Sequence, residues 1–433
     1  MDRLEIGILG IVTTLMLIGV RVPISVAMGI TSFFGIYFMM GMMPAIGITK
    51  AIPYDLIGNW NLSAVPMFLL MGYIASSAGL SSGLFKAARV FLNRIPGGLA
   101  TASVASSAMF ASASGSSVAT AAAFSRIAIP EMLKAGYAPS LASGSVAAAG
   151  TLGSLIPPSV LLIVYGLTMD VSINTLFLAA IVPGVLSGIV FATMITIRCV
   201  LNPSLAPKTT EQYSLREKLE LIKDVWPLPV LIMGVLGGIF SGIFTATEAG
   251  AIGAFLACLI AFFRRTLTPN VIKQAMLDTA IGTAAIFVIV MSAALFSSFI
   301  ALSTLPNWVT AHLSGLDAIW VIIFICILFL VLGCFLESIS IILLTVPVLS
   351  PLLLDLDINL IWFGVLAVKL LETGLITPPV GMNVYVIRSS LGGSMPLGTI
   401  FSGVSWFILA DALTIALLVS FPILTLWLPG ISQ

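Results

Sequence analysis

The chain has 433 residues, of which 59% are hydrophobic and only 8% are charged, and its formal net charge is +1. Soluble domains carry about 25% charged residues, so this composition excludes an ordinary soluble protein. Apolar runs long enough to cross a bilayer recur from end to end, without the alternation typical of an outer-membrane barrel. The sequence therefore predicts an all-α polytopic membrane protein with membrane lipid around it and no nucleic-acid partner.

Residues that carry chemistry are sparse. The single histidine, His312, lies in a short polar connector, and the four cysteines lie in or beside apolar runs without the spacing of metal ligands. A membrane-embedded enzyme needs a clustered acid, base or metal set, so the sequence argues against an enzyme and predicts no cofactor. The N-terminus lacks a basic region and a small-residue cleavage site, so we expect a retained first helix.

Simple spans and polar connectors alternate along the chain. The predicted spans cover about 6–20, 24–44, 64–79, 174–198, 226–243, 246–263, 271–301 and 396–427. Residues 80–95 interleave basic and apolar side chains, as expected of an amphipathic helix in the interface. Polar segments are predicted at 45–62 and 303–317, and 199–225 forms the one clearly hydrophilic linker.

Four other apolar stretches contain breaks that a simple span would not tolerate. Two are too long and too interrupted for one crossing and predict re-entrant helical hairpins, and the other two predict broken helices. The hairpins cover about 98–135 and 318–354, and the broken helices cover about 139–169 and 358–391. Their breaks read SGSS at 114–117, GCFLES at 333–338, GTLGSLIPPS at 150–159 and GLITPPVGM at 374–382.

The second half of the chain echoes the first. Ser116 and Ser338 at the two hairpin tips are 222 positions apart, and the proline pairs 157–158 and 378–379 are 221 positions apart. When the basic linker is placed in the cytoplasm, most other basic residues fall on the same side, as the positive-inside rule requires. The two hairpins then enter from opposite sides, so the halves are inverted. The predicted division is a first repeat at 1–200, a linker at 201–225 and a second repeat at 226–433.

Breaks at membrane depth occur where protein buries them or where they line a polar cavity, although small residues there also permit close helix packing. Prolines 157 and 378 lack an N–H and so free a helix carbonyl. Hydroxyls and freed carbonyls are suitable ligands for sodium, and half-helix N-termini attract anionic groups. The candidate sodium ligands are Ser114, Ser116, Ser117, Gly150, Gly153, Ile156 and Pro158 in the first half, and Gly333, Ser338, Gly374, Thr377 and Val380 in the second.

Ionisable residues inside the membrane are costly and need an explanation. Lys369 and Glu372 are three apart on a helix, which favours a structural pair. Glu248 follows a helix start, where a carboxylate caps free amide groups. Glu337 lies at the second tip, where either tuning of affinity or a structural role is open.

The motifs SGSSVATAAA, GTLGSLIPPS, FTATEAGAIGA, GCFLES and GLITPPVGMNVYVI resemble the large membrane subunit of TRAP transporters, the tripartite ATP-independent periplasmic transporters. The resemblance covers almost the whole chain. It implies sodium-driven uptake of an organic acid, such as a dicarboxylate or sugar acid, across the bacterial inner membrane by an elevator mechanism. It also implies two partners, a small four-helix membrane subunit and a periplasmic substrate-binding protein.

The family's sodium sites carry over by motif to eight of the candidate positions. These are Ser114, Gly153, Ile156, Pro158, Gly333, Gly374, Thr377 and Val380. The nearest alternative is a stand-alone carboxylate or ion exchanger of the same superfamily that needs no binding protein. A channel is a further alternative, which inverted hairpins disfavour. The identity of the acid, the sodium stoichiometry and the oligomeric state do not follow from the sequence.

Overall fold

The computed structural model describes residues 2–80, 82–207, 225–313 and 315–431, and this part of the chain contains 20 α-helices, two short 3-10 helices and no strand. The first half contributes α1 (Arg3–Gly19), α2 (Ile24–Met40), α3 (Met42–Ile57), α4 (Ala64–Ser77), α5 (Ser82–Leu92), α6 (Gly98–Ser114), α7 (Ser117–Lys134), α8 (Pro139–Leu155), α9 (Val160–Thr168) and α10 (Ile173–Leu201). The second contributes α11 (Pro227–Phe240), α12 (Ala246–Phe263), α13 (Pro269–Leu302), α14 (Leu305–Leu313), α15 (Ala318–Gly333), α16 (Ser338–Asp355), α17 (Leu360–Gly374), α18 (Met382–Ser390), α19 (Leu397–Ser420) and α20 (Ile423–Ile431). The all-helical prediction is confirmed.

Several helices have the length and composition of membrane spans. In the described part of the chain, α10, α12, α13, α16 and α19 are each long and apolar enough to cross a bilayer. The pair α8 and α9 qualifies as a sixth span, bent by 42° at the residues between them. These helices give the chain the character of a multi-pass membrane protein.

Two segments predicted to be polar connectors are in fact largely helical. The first, 45–62, is mostly covered by α3, whose Lys50 and Asp55 are exposed and which buries only Ala45. Polar residues on the exposed face of a peripheral helix do not prevent it from forming. The second, 303–317, contains α14. Within the predicted linker, α10 extends to Leu201, and 208–224 lies outside the described residues.

The helices pack into two groups. The outer bundle consists of α1–α4 and α11–α13, in which α4 packs against α12 and α13, and α13 also packs against α2. The inner bundle consists of α6–α10 and α15–α20, in which α8 contacts α6, α7 and α19, and α17 contacts α15. The short helices α5 and α14 lie at the edges of these bundles, where α5 packs on α6, and α14 packs on α16.

The first segments of the two broken helices lie at the centre of the inner bundle. Every residue of α8 from Leu141 to Leu155 is buried, and so is every residue of α17 from Trp362 to Gly374. A helix that is buried on all sides has no lipid-facing stripe and forms part of a protein core. Both breaks therefore begin inside the inner bundle, and the first stays buried, while the second reaches the surface at Pro378, Pro379 and Val380.

Candidate functional site

The first break, 156–159, separates α8 from α9. Pro157 and Pro158 have no amide hydrogen, so the carbonyls of Gly153 and Ser154 lose the helical donor four residues on. The Ser159 hydroxyl donates to the Ser154 carbonyl and replaces that donor. No donor to the Gly153 carbonyl is found among the described residues, which leaves it as a backbone acceptor of the kind that binds sodium.

The tip of the first hairpin lies directly against this break. Gly115 joins α6 to α7 with φ +60°, a left-handed conformation that favours glycine. A Cβ atom at Gly115 would lie 3.1 Å from the Pro158 carbonyl oxygen, and one at Gly153 would lie 2.7 Å from the Ser116 carbonyl oxygen. The tip and the break can approach this closely only because both glycines lack a side chain.

The hydroxyls at the first tip form short chains of hydrogen bonds. Ser114 Oγ lies 2.8 Å from Thr120 Oγ1, and Thr120 donates to the Ser116 carbonyl at 2.8 Å. Ser117 Oγ lies 2.8 Å from Ser154 Oγ of α8. The tip is therefore held to the broken helix by polar contacts, and its hydroxyl oxygens keep lone pairs for a cation.

The second break, 375–381, separates α17 from α18. Thr377 donates its hydroxyl to the Thr373 carbonyl at 2.7 Å, and its amide bonds the Gly374 carbonyl at 3.0 Å. Thr377 is half-buried, and Val380 is 39% exposed. This break is therefore more open than the first one.

The second tip, 334–337, lies against the second break as the first tip lies against the first. A Cβ atom at Gly374 would lie 2.6 Å from the Cα atom of Gly333, so these two backbones are in direct contact. Glu337 occupies the N-cap position of α16 but makes no side-chain capping bond. Ser338 is only 4% exposed, and its hydroxyl has no hydrogen-bond partner among the described residues.

A hydrogen bond joins the first tip to the second half of the chain. Ser117 at the first tip donates a hydrogen bond to Glu372 Oε2 on α17, 255 positions along the chain. The other oxygen, Glu372 Oε1, is buried and has no hydrogen-bond partner among the described residues. No local sequence pattern could reveal this contact.

The predicted pairing of Lys369 with Glu372 is wrong. Lys369 instead forms a buried ion pair with Asp411 of α19, and Thr373 donates to the same carboxylate at 3.0 Å. Residues three apart on a helix can form a pair, but the ion-pair partner of Lys369 lies on a neighbouring helix.

The capping role predicted for Glu248 is confirmed, since its carboxylate accepts from the Thr245 amide at 2.8 Å.

A cavity of about 260 Å³ lies where the two tips meet the outer bundle. Its lining includes the first residues of four helices, α7, α9, α16 and α18, and α4 and α13 close its other side. Helix N-termini carry free amide groups and a partial positive charge, which favour an anion. Two carboxylates in the same lining, Glu337 and Glu372, oppose one. The lining residues named from these elements are Ser117, Val118, Val160, Leu161, Ser338, Ile339 and Met382, with Leu69, Tyr73, Gly282, Ala285 and Ile286 opposite.

The structure gathers most of the predicted ligands at the two tip-and-break contacts but gives some of them other surroundings. Gly150 lies inside α8, where a Cβ atom would be 2.9 Å from that of Ala121, so it provides space for packing rather than unwound backbone. The Ile156 side chain packs on Gly184 and leaves only its backbone to a ligand. Glu372 was not predicted to be a ligand. It belongs to the second half of the chain, but it contacts Ser117 at the first tip.

Comparisons with known proteins agree with this architecture. Residues 11–424 match the family described as "Tripartite ATP-independent periplasmic transporter, DctM component". The chain is 35% identical over 381 residues to the C4-dicarboxylate TRAP transporter large permease protein DctM of Pseudomonas aeruginosa, covering 86% of each chain. It is 33% identical over 376 residues to the sialic acid TRAP transporter large permease protein SiaM of Vibrio cholerae, covering 86% of this chain and 87% of that one.

A solved structure shares the fold at low sequence identity. The crystal structure of the Alcanivorax borkumensis YdaH transporter superposes with a TM-score of 0.61 and 16% identity. The superposition covers 90% of this chain and 89% of that one. At this identity, the likeness concerns the fold alone.

Proposed function

The chain belongs to the DctM component family of tripartite ATP-independent periplasmic transporters, and from this premise we propose that it carries an organic acid inward across the bacterial inner membrane, driven by sodium. It is a multi-pass integral membrane protein and a transporter permease rather than an enzyme. The observation that supports the proposal most strongly is the cavity between the tips, on which four helix N-termini converge.

That cavity suits an acid. The helix α16 starts there without a side-chain capping bond, which leaves its first amides available to a ligand. At the start of α18, the amides of Asn383 and Val384 already bond the carbonyls of Leu375 and Gly381. Free amides and the helix dipole favour a carboxylate. Relatives of the chain are named for C4-dicarboxylate and sialic acid, both organic acids, and we extend this substrate class to the present chain.

The two tip-and-break contacts suit sodium. Each offers hydroxyls and backbone carbonyls from a break that prolines prevent from closing, and neutral oxygens of this kind bind alkali cations in broken-helix transporters. In the first half, Ser114, Gly153 and the backbone of Ile156 and Pro158 would supply ligands. In the second half, Gly333, Gly374, Thr377 and Val380 would do so.

We propose further that the halves are inverted repeats. Ser117 and Ser338, which begin the second arms of the hairpins, are 221 positions apart, and so are Pro139 and Leu360, which begin the broken helices. Each tip contacts the break of its own half. Inverted repeats meeting at a central site are the architecture of secondary transporters.

The position of the cavity supports an elevator mechanism. Its tip-bearing side belongs to the inner bundle and its other side to the outer bundle, so the ligand lies at the boundary between them. In the mechanism we propose, the inner bundle slides against the outer bundle and carries the acid and its sodium ions across.

The family's description as tripartite and periplasmic implies two partner components. We propose that these are a small membrane subunit and a periplasmic binding protein that delivers the acid.

Reconstitution tests this function. The chain would be placed in proteoliposomes with its small subunit and its binding protein, and uptake of radiolabelled C4-dicarboxylate and sialic acid would be measured. We expect uptake under an inward sodium gradient and none when potassium replaces sodium. Sodium-independent uptake would contradict the proposed coupling, and full uptake without the binding protein would favour the stand-alone exchanger.

A further inference from the structure

Two buried oxygens on the cavity wall have no hydrogen-bond partner among the described residues. One is Glu372 Oε1, whose residue is 1% exposed, and the other is Ser338 Oγ, whose residue is 4% exposed. Buried polar atoms in proteins are almost always paired, so an unpaired one needs an explanation. Both residues line the same cavity.

Glu372 forms no ion pair among the described residues. The ammonium group of Lys369, one turn earlier on the same helix, is paired with Asp411 and acts on Glu372 only from a distance. The hydroxyls of Ser117 and Ser154 interact with the carboxylate of Glu372, but Oε1 keeps no hydrogen-bond partner. The described residues that line the cavity include a second carboxylate, Glu337, and no Lys, Arg or His. Burying a carboxylate without its own counter-charge is costly, and a cation bound at Oε1 would remove that cost.

We propose that Glu372 is the anionic ligand of an additional sodium ion, bound between the two halves of the chain. The hydroxyls of Ser117 and Ser154, which lie 2.8 Å apart, would supply neutral oxygens from the first half. The free hydroxyl of Ser338 lies on the same cavity wall and is available as a further ligand. Carboxylate and hydroxyl oxygens are the ligands that hard cations prefer. This site takes Ser117 and Ser338 from the wider set of predicted ligands, and Glu372 distinguishes it from the neutral-oxygen sites at the eight positions carried over from the family.

The site rests on the proposed function and gives that function a physical means of coupling. An unoccupied Glu372 places a negative charge beside a cavity that receives an acid, and the two anions repel each other. A sodium ion at Glu372 cancels that charge. The acid therefore binds after this sodium ion. Uptake requires this ion even when the sites at the breaks already hold sodium.

Equilibrium binding of ²²Na⁺ to the purified chain tests the site without knowledge of the acid. Glu372→Gln keeps the shape of the side chain but removes its charge, and we expect it to bind one sodium ion fewer per chain than the natural sequence. Asp357→Asn is the matched control, because Asp357 is an exposed carboxylate with φ +51°, a conformation that asparagine tolerates. The control should bind as many ions as the natural sequence.

A second variant tests the site in case Glu372→Gln does not fold. Ser154→Ala removes one neutral ligand, and we expect the affinity for one ion to fall by about tenfold or more while the others keep theirs. Melting temperatures in potassium chloride show whether each variant is folded. If the natural chain binds sodium and Glu372→Gln and Ser154→Ala both leave number and affinity unchanged, this site is refuted and the proposed function stands. If the natural chain binds no sodium, the proposed coupling fails as well.

Discussion

The two helix breaks are built from the same kind of sequence but differ in exposure. At the first break, Pro157, Pro158 and Ser159 are buried, whereas at the second, Pro378, Pro379 and Val380 are exposed. Polar groups at the first break bond one another, whereas at the second tip the hydroxyl of Ser338 has no hydrogen-bond partner in the part of the chain that the structure describes. Within one conformation, a closed break and an open break thus coexist in two similar motifs. The inverted repeats that we propose would have this asymmetry in each end state of alternating access.

Loss of the ion pair that anchors the second broken helix should have the largest effect. Lys369→Met leaves Asp411 buried without a counter-charge, and breaking such a pair costs about 3–5 kcal/mol. We expect the free energy of unfolding to fall by this amount and the yield of folded protein to fall with it. The double variant Lys369→Met, Asp411→Leu should recover most of the loss in thermal unfolding. A single variant as stable as the natural chain would show that the pair does not hold α17 in place.

Glycine substitutions compare the two contacts directly. Gly153→Ala and Gly374→Ala each place a methyl group within 2.7 Å of backbone atoms, and we expect each to lower the free energy of unfolding by about 1–3 kcal/mol. The effect should be larger at Gly153, because its surroundings are closed. Gly237→Ala is the matched control, since nothing lies within 4 Å of its Cβ position, and it should stabilise α11 by up to about 1 kcal/mol. If all three variants shift the melting temperature by the same amount, the two contacts do not differ in packing from the control position.

Hydroxyl substitutions should change sodium dependence more than stability. Ser114→Val and Thr377→Val each remove a predicted ligand, and a loss of about 1 kcal/mol at either site would raise half-saturating sodium about fivefold. Thr279→Val is the control, because Thr279 makes the same hydrogen bond to the carbonyl four residues back but lies on α13. Sodium titration of uptake measures the change. Unchanged sodium affinity in both variants would remove these two ligands.

The ion pair on the second arm of the first hairpin should have the smallest effect. Glu131 lies 3.2 Å from Arg89 and 3.3 Å from Lys134, and its side chain is 39% exposed. Exposed pairs contribute about 0–1 kcal/mol, so Glu131→Gln should shift thermal unfolding only slightly, and less in high salt. A loss as large as that of Lys369→Met would mean that this surface contact, rather than the buried pair, holds a hairpin in place.

The sequence predicted the positions of the breaks because glycine and proline act locally. Helices end at Ser114, Leu155, Gly333 and Gly374, within or beside the motifs that predicted them. The helices α3 and α14 were not predicted, because their polar residues lie on exposed helix faces and resemble those of connectors. Hydrogen bonds between distant segments could not be predicted from the sequence. The bonds from Lys369 to Asp411 and from Ser117 to Glu372 join helices that come together only after folding.

The inverted arrangement of the halves can be tested by cysteine accessibility. Lys134 and Asp355 each end the second arm of a hairpin, and both are exposed. Single cysteines would be placed at these positions in a chain whose four native cysteines have been replaced. A membrane-impermeant maleimide would then be added to intact spheroplasts. We predict that Asp355→Cys reacts at once and that Lys134→Cys reacts only after the membrane is opened. Reaction of both positions from the same side would contradict inverted repeats.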